Sequence, residues 1–165
     1  MYAAAGGART VYSVDLSEAA LQTSVRNMAH NAVRPNVAAC QHTTQAGDAF
    51  EVMQGLLKRR RRFDVVVLDP PSFARKQLDH DRAIRAYQKL TALALGLVED
   101  GGTLVQSSCS SRVSADDLFS SIHMVAANSR SRISEISRTT HAADHPIAFA
   151  EGAYLKTLFT RVHNR

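Results

Sequence analysis

Cysteine is scarce in this 165-residue chain: there are two, Cys40 and Cys109, far apart and in no metal-ligand spacing. That excludes a disulfide-built fold and a cysteine-ligated zinc site, and two isolated thiols suit a reducing compartment. Long apolar runs are missing as well. No window approaches the roughly 18 uninterrupted apolar residues that a membrane span needs. The opening residues, Met1-Tyr2-Ala3-Ala4-Ala5-Gly6-Gly7, hold neither a basic leader nor an apolar stretch of signal-peptide length, so a cytoplasmic location is the expectation. There is no repeat, low-complexity tract or linker, and a single domain over 1–165 is expected.

Acidic residues are outnumbered, 15 against 20 Lys and Arg, for a net charge of +5. Such a balance suits a polyanionic partner. Lys58 through Arg62 form one basic block, and Arg75, Lys76, Arg82, Arg85 and Lys89 follow within the next thirty positions. The first block reads equally well as a solvated helix end that offsets the helix dipole. The second group follows a candidate active-site loop, where phosphate contact is the better reading.

What is present is an alternation of strand and helix. Val11 to Val14 is a short β-branched run ending at Asp15, after which Ser17 can cap a helix with Leu21, Val25, Met28 and Ala32 on one face. Val37 to His42 reads as a second strand, and Asp48 opens a helix with Met53, Leu56 and Leu57. Phe63 to Leu68 is the strongest strand, expected to be central, parallel and covered on both faces. A helix over roughly Asp79 to Val98 carries Ile84, Tyr87, Ala94 and Val98. Asp100-Gly101-Gly102 then turns the chain into Thr103 to Ser107. Ser114 with Asp117 is a capping-box start for a helix with Leu118, Ile122, Val125 and Ala126. Arg132 to Arg138 and Tyr154 to Val162 read as two strands pairing antiparallel. The expected fold is α/β, a doubly wound Rossmann-like sheet, mainly parallel with an antiparallel carboxyl-terminal edge.

Ligands of open α/β sheets bind at the carboxyl ends of the strands. Those ends carry Asp15, Asp48 (after Gly47), Asp69-Pro70-Pro71 and Ser108-Cys109-Ser110. An acid after the first strand can accept both hydroxyls of a ribose. Gly47-Asp48-Ala49 can present a carboxylate to an adenine amino group, although Asp48 can also simply cap its helix. Two prolines after Asp69 remove two amide donors and stiffen the loop, holding an acceptor where methyl transfer to a planar base would need it. Cys109 with a carboxylic acid is the minimum set for activating carbon 5 of cytosine, through thiolate addition at carbon 6. Cys40, inside a strand with no acid after it, reads as a small buried hydrophobe. His141, Asp144 and His145 have a helical ligand spacing, but Pro146 argues against a helix there, and no metal is expected.

These stretches resemble one family, the bacterial cytosine-5 methyltransferases of large-subunit ribosomal RNA. The matching residues are Ala4-Ala5-Gly6-Gly7-Ala8, Val14-Asp15-Leu16-Ser17, Phe63 through Phe73, Glu99-Asp100-Gly101-Gly102, Ser108-Cys109-Ser110, and Ala143-Asp144-His145-Pro146 with Glu151-Gly152-Ala153-Tyr154-Leu155-Lys156. The resemblance implies S-adenosyl-L-methionine as cofactor, held by Asp15, Leu16, Asp48, Ala49, Asp69 and Pro70. It makes Asp69 the residue that engages the cytosine ring and Cys109 the nucleophile, with Pro71, Ser72, Phe73, Arg75, Lys76 and His145 on the substrate side. The implied partner is RNA, ribosomal RNA in the family, with no membrane.

Other RNA cytosine methyltransferases carry a second Cys in the Asp-Pro-x loop, where this chain has Pro71 and Ser72. The family's amino-terminal RNA-binding module and linking domain have no counterpart here. Its first strand and Gly-rich loop are also absent from 1–165, so the sequence is expected to be a truncated domain whose uncovered sheet favours a homodimer. Two other functions stay open on the residues alone: a methyltransferase of the same fold acting on a nitrogen, and a non-catalytic RNA-binding or oligomerising remnant.

Overall fold

The computed structural model describes residues 1–74, 79–149 and 152–164. The chain forms two compact units, Met1–Gly55 and Leu56–Arg165.

In the first unit a short helix α1 (Tyr2–Ala5) leads into β1 (Thr10–Asp15). The next helix, α2 (Glu18–His30), starts where expected: Ser17 is the N-cap, and its hydroxyl accepts from the Ala20 amide at 3.2 Å. The second strand lies later than the sequence suggests. Pro35 takes the first-turn position of a short helix, α3 (Pro35–Ala39), and β2 runs over Gln41–Ala46. Proline's fixed φ and missing amide suit a helix start, so Val37 turns into the core instead of joining a strand. β1 and β2 pair parallel with Asp15 opposite Ala46. Ala4, Met28 and Val37 make the core, with Val11 and Cys40 packed against it. Cys40 is half-buried at the end of α3, and not inside a strand as expected.

Helix α4 (Ala49–Lys58) runs from the first unit into the second. The second unit holds β3 (Phe63–Leu68), α5 (His80–Leu95), β4 (Val98–Ser108), α6 (Ala115–Ala127), β5 (Ser131–Thr139) and β6 (Lys156–Asn164). Its sheet has the order β3-β4-β6-β5. β3 and β4 are parallel, and β6 runs antiparallel to both β4 and β5. The last two strands do pair as expected, but β6 lies inside the sheet and β5 forms its edge. The fold is α/β and Rossmann-like with an antiparallel edge.

Two local expectations are corrected. Val98 begins β4, because Gly96 ends α5 and the Glu99–Gly102 stretch enters the strand through a register shift between Phe63 and Val65. Gly102 is required there: a Cβ would lie 2.6 Å from Val98 Cγ1 and 2.9 Å from the carbonyl oxygens of Asp64 and Glu99. β3 is the end strand of its sheet, and Val65 and Val67 are 55% and 62% exposed, so it is not covered on both faces. The capping box at α6 forms as read, with the Ser114 hydroxyl accepting from the Asp117 amide at 3.0 Å. Helices α5 and α6 pack on each other, and Ala83, Tyr87, Leu118, Phe119, Ile122 and Leu158 share one buried cluster. Burial of this kind, at about 25 cal/mol per Å² of apolar surface, is the main favourable term of the fold.

Candidate active site

The first unit carries two acids at the carboxyl ends of paired parallel strands. The backbone amide of Gly47 donates to the Asp15 carbonyl at 3.0 Å and closes the two strand ends together. Gly47 sits at φ 153, where a Cβ would also lie 3.1 Å from Val52 Cγ2, so the turn into α4 calls for glycine. Asp48 Oδ1 accepts from the amides of Phe50 at 2.9 Å and Glu51 at 3.2 Å, which makes it the N-cap. Asp15 is also used locally: its Oδ1 accepts from the Ser17 amide at 2.8 Å. In both residues those bonds engage one oxygen and orient the carboxylate, and Oδ2 has no protein partner among the described residues. Leu16, beside Asp15, is 75% exposed, and Ala49 is exposed too. Such a rim, two oriented carboxylates and an uncovered apolar side chain, fits the ribose, amine and planar base of a nucleoside.

In the second unit β3 ends at Leu68, opposite Gln106 of β4, so the loops starting at Asp69 and at Cys109 leave neighbouring strand ends. Asp69 and Pro71 are exposed, and Pro70, Ser72 and Phe73 are half-buried. The Ser72 hydroxyl donates to the Ala74 carbonyl at 3.1 Å, and the Phe73 ring meets Tyr87 edge-on at 5.1 Å between centroids. Tyr87 is fully buried on α5, and its hydroxyl pairs with Ser108 Oγ at 2.8 Å. Ser108 Oγ in turn accepts from the Ser110 amide at 3.2 Å. One ring therefore ties the Asp69 loop to the turn that holds Cys109. Burial raises the Tyr87 pKa, the Ser108 bond works against that, and the charges of Cys109 and Asp69 add to it.

Below the turn, Gln106 accepts from Thr91 at 2.8 Å and the hydroxyls of Ser107 and Thr157 pair at 2.9 Å, so these four buried side chains are hydrogen-bonded. Lys156 is 5% exposed; its ammonium donates to the carbonyls of Ser110 and, at 3.1 Å, Tyr154. Cys109 itself is half-buried and unpaired with any other cysteine.

Of the other expected substrate residues, Arg75 and Lys76 lie outside the described residues. His145 is exposed and stacks on His141, with centroids 5.5 Å apart and rings 12° from parallel. Tyr154 meets His141 edge-on at 4.9 Å. Both ring nitrogens of His141 are buried without a partner among the described residues. These histidines form an aromatic stack, and no group of three or more His, Cys, Asp or Glu among the described residues is placed to hold a metal ion. No described helix is long and apolar enough to cross a membrane.

In the sequence Tyr87 stands out only as a core position and Lys156 only as part of a motif. The available signal was chemical: a tyrosine or lysine on a buried register must find a hydrogen-bond partner, and the nearest candidates are the polar residues around Cys109.

Fold and rim together define a domain with the fold of the S-adenosylmethionine-dependent methyltransferases. The crystal structure of SMU.776, a candidate methyltransferase complexed with SAH, matches with a TM-score of 0.73 over 94% of this chain and 40% of that one, at 20% sequence identity. Among curated proteins the chain is similar to the Ribosomal RNA large subunit methyltransferase of Deinococcus radiodurans, 40% identical over 162 residues. It is also 40% identical over 166 residues to Ribosomal RNA large subunit methyltransferase I of Shewanella amazonensis. These alignments cover 98% of this chain, but it spans only 39% and 40% of those two relatives. No family model matches the chain.

Proposed function

We propose that this chain is the catalytic part of an S-adenosylmethionine-dependent RNA methyltransferase that forms 5-methylcytosine in large-subunit ribosomal RNA through Cys109. The observation that carries the reading is the Tyr87 tie, which holds the Asp69 loop and the Cys109 turn on adjacent strand ends. The names of the two relatives support ribosomal RNA as the substrate class, and the net charge of +5 suits it.

Asp15 and Asp48 have the oriented carboxylates that a ribose and an adenine amine would take, with Leu16 and Ala49 beside them. Bound S-adenosylmethionine would supply an electrophilic methyl group. Cys109, as thiolate, adds to carbon 6 of the cytosine while Asp69 engages the ring nitrogen, which makes carbon 5 nucleophilic. After carbon 5 is methylated, its proton is lost to a base. The electron pair restores the ring double bond, the carbon–sulfur bond breaks, and the thiolate of Cys109 is regenerated. Pro71, Ser72 and Phe73 flank the ring, and Arg75, Lys76 and His145 serve the RNA strand.

The test is large-subunit ribosomal RNA carrying 5-fluorocytosine, incubated with the protein and S-adenosylmethionine. The fluorine cannot leave as a proton does, so a covalent RNA adduct mapping to Cys109 is expected, and Cys109→Ala should lose it. Methylated RNA with no adduct, or full methylation by Cys109→Ala, would instead assign the chain to transfer onto a nitrogen. Absence of both cofactor binding and RNA methylation would reject the enzyme reading.

A further inference from the structure

Lys156 is an unusual neighbour for a nucleophile. The antiparallel register of β4 and β6 sets it opposite Ser108, one residue before Cys109. Its ammonium donates to the carbonyl of Ser110, one residue after Cys109, so the lysine grips the turn from both its sides. A second N–H goes to the Tyr154 carbonyl at 3.1 Å. An ammonium has three donors, and the third has no partner among the described residues. The side chain is 5% exposed, and no described carboxylate lies within ion-pair distance of it. Burying an unpaired charge costs several kcal/mol unless something nearby compensates it. Burial accordingly lowers the Lys156 pKa, and the opposing influences are the charges of Cys109 first and Asp117 second. A neutral side chain of similar length would make the same chain contacts without that cost, so the charge itself calls for a reason.

We propose that Lys156 is the positioning residue of Cys109, fixing the Ser108–Ser110 turn with its ammonium on the residue next to the nucleophile, where its positive charge attracts the negative charge of the attacking sulfur. This deepens the reading above and rests on Cys109 being the nucleophile. No covalent step is added: the lysine acts through the cysteine and keeps its own proton during attack. The same charge would draw anions toward the sulfur.

Two alkylating reagents separate charge from mere structure. Iodoacetamide is neutral and iodoacetate is an anion of nearly the same size, so a positive charge beside a thiol raises the iodoacetate-to-iodoacetamide rate ratio. A displaced or loosened turn would change both rates together. Reaction at Cys109 and Cys40 of the same protein is followed by peptide mass spectrometry. The expected ratio at Cys109 is about fivefold that at Cys40, the weight of one unit charge at close range in water. Lys156→Arg should keep the high ratio, and Lys156→Gln should bring it down to that of Cys40. Equal ratios at the two thiols of the unsubstituted protein overturn the proposal even if Lys156→Gln fails to fold, and so does an unchanged ratio in a folded Lys156→Gln. The outcome is independent of RNA: a high ratio with no 5-fluorocytosine adduct counts against the cytosine reading alone, and an adduct with equal ratios counts against Lys156 alone.

Discussion

The hydroxyl of Tyr87 lies 2.8 Å from Oγ of Ser108, in a fully buried pair that joins α5 to the end of β4. The same ring supports Phe73 at the end of the Asp69 loop. Tyr87→Phe keeps the ring and removes only the hydroxyl. Ser108 would then lose one of its two partners, at a cost of about 1 kcal/mol in stability. The larger effect falls on rate, because reacting groups displaced by a fraction of an ångström lose much of their alignment. We expect kcat for RNA methylation to fall about tenfold with the cofactor Kd unchanged. Steady-state kinetics beside calorimetric titration of S-adenosylmethionine check this. A change in Kd with no change in kcat would contradict the positional role.

Gly102 makes a purely structural prediction. Its missing Cβ leaves room for Val98 Cγ1 and for two backbone carbonyls, and carbonyls cannot swing aside as a side chain can. Gly102→Ala should cost about 1–3 kcal/mol, the usual range for overpacking a filled interior. The measurement is the urea midpoint. A midpoint equal to that of the parent would show that β4 relaxes at its bulge without penalty.

The two carboxylates of the first unit each have a local job beside the proposed one. Asn serves as an N-cap about as well as Asp, so Asp48→Asn should keep α4 and the stability of the unit. What it removes is the negative charge and the carboxylate's acceptor capacity at Oδ2. Asp15→Asn does the same beside Leu16. Each change is expected to weaken S-adenosylmethionine binding about tenfold or more, since a charge-assisted hydrogen bond is worth roughly 1.5–3 kcal/mol. Calorimetric titration with a parallel melting curve reads both quantities. Unchanged affinity in both variants would mean that these acids are helix caps and nothing else.

How much of the fold and site is legible in the sequence depends on how local each signal is. Asp15, Asp69 and Cys109 were legible because an acid or thiol after a β-branched run lands at a strand end whatever the strand order. The Ser114–Asp117 box was legible because capping is settled within one turn. β2 was misplaced because Gln41–Ala46 is polar, Val37–His42 looks more like a strand, and the effect of Pro35 at a helix start outweighed that pattern. The apolar run Val65–Leu68 does not by itself show that Val65 and Val67 are exposed, since it looks the same at the end of a sheet as in its centre. Nor does any local pattern show the insertion of β6 between β4 and β5, a pairing that joins residues far apart in the chain. Tyr87–Ser108 and Lys156–Ser110 depend on that long-range register, which is why the strand-end positions of Asp69 and Cys109 are legible in the sequence and the contacts around them are not.

His80 stands at the start of α5 and bridges two carboxylates, Asp81 at 3.3 Å and Asp117 of α6 at 3.2 Å. α5 follows the Asp69 loop and α6 follows the Cys109 turn, so this contact fastens the far sides of both. The His80 pKa is raised above its ordinary 6.5, by the Asp81 bond first and the Asp117 bond second. Its contribution is therefore fully present below 6.5 and is lost as pH rises through the raised value. Asp117 is held below its ordinary 3.8, by Ser114 first and His80 second. Its contribution is present above 3.8 and is lost as pH falls through the lowered value. Both are in force between 3.8 and 6.5. His80→Gln keeps a hydrogen-bonding side chain without the charge, so the parent should be the more stable protein on the acid side of 6.5. That advantage should fade on the alkaline side, while the Ser114 part of the acid limb persists in the variant. Urea midpoints of both proteins across this range provide the check. A difference that stays constant with pH would show that His80 acts by packing, with its charge playing no part.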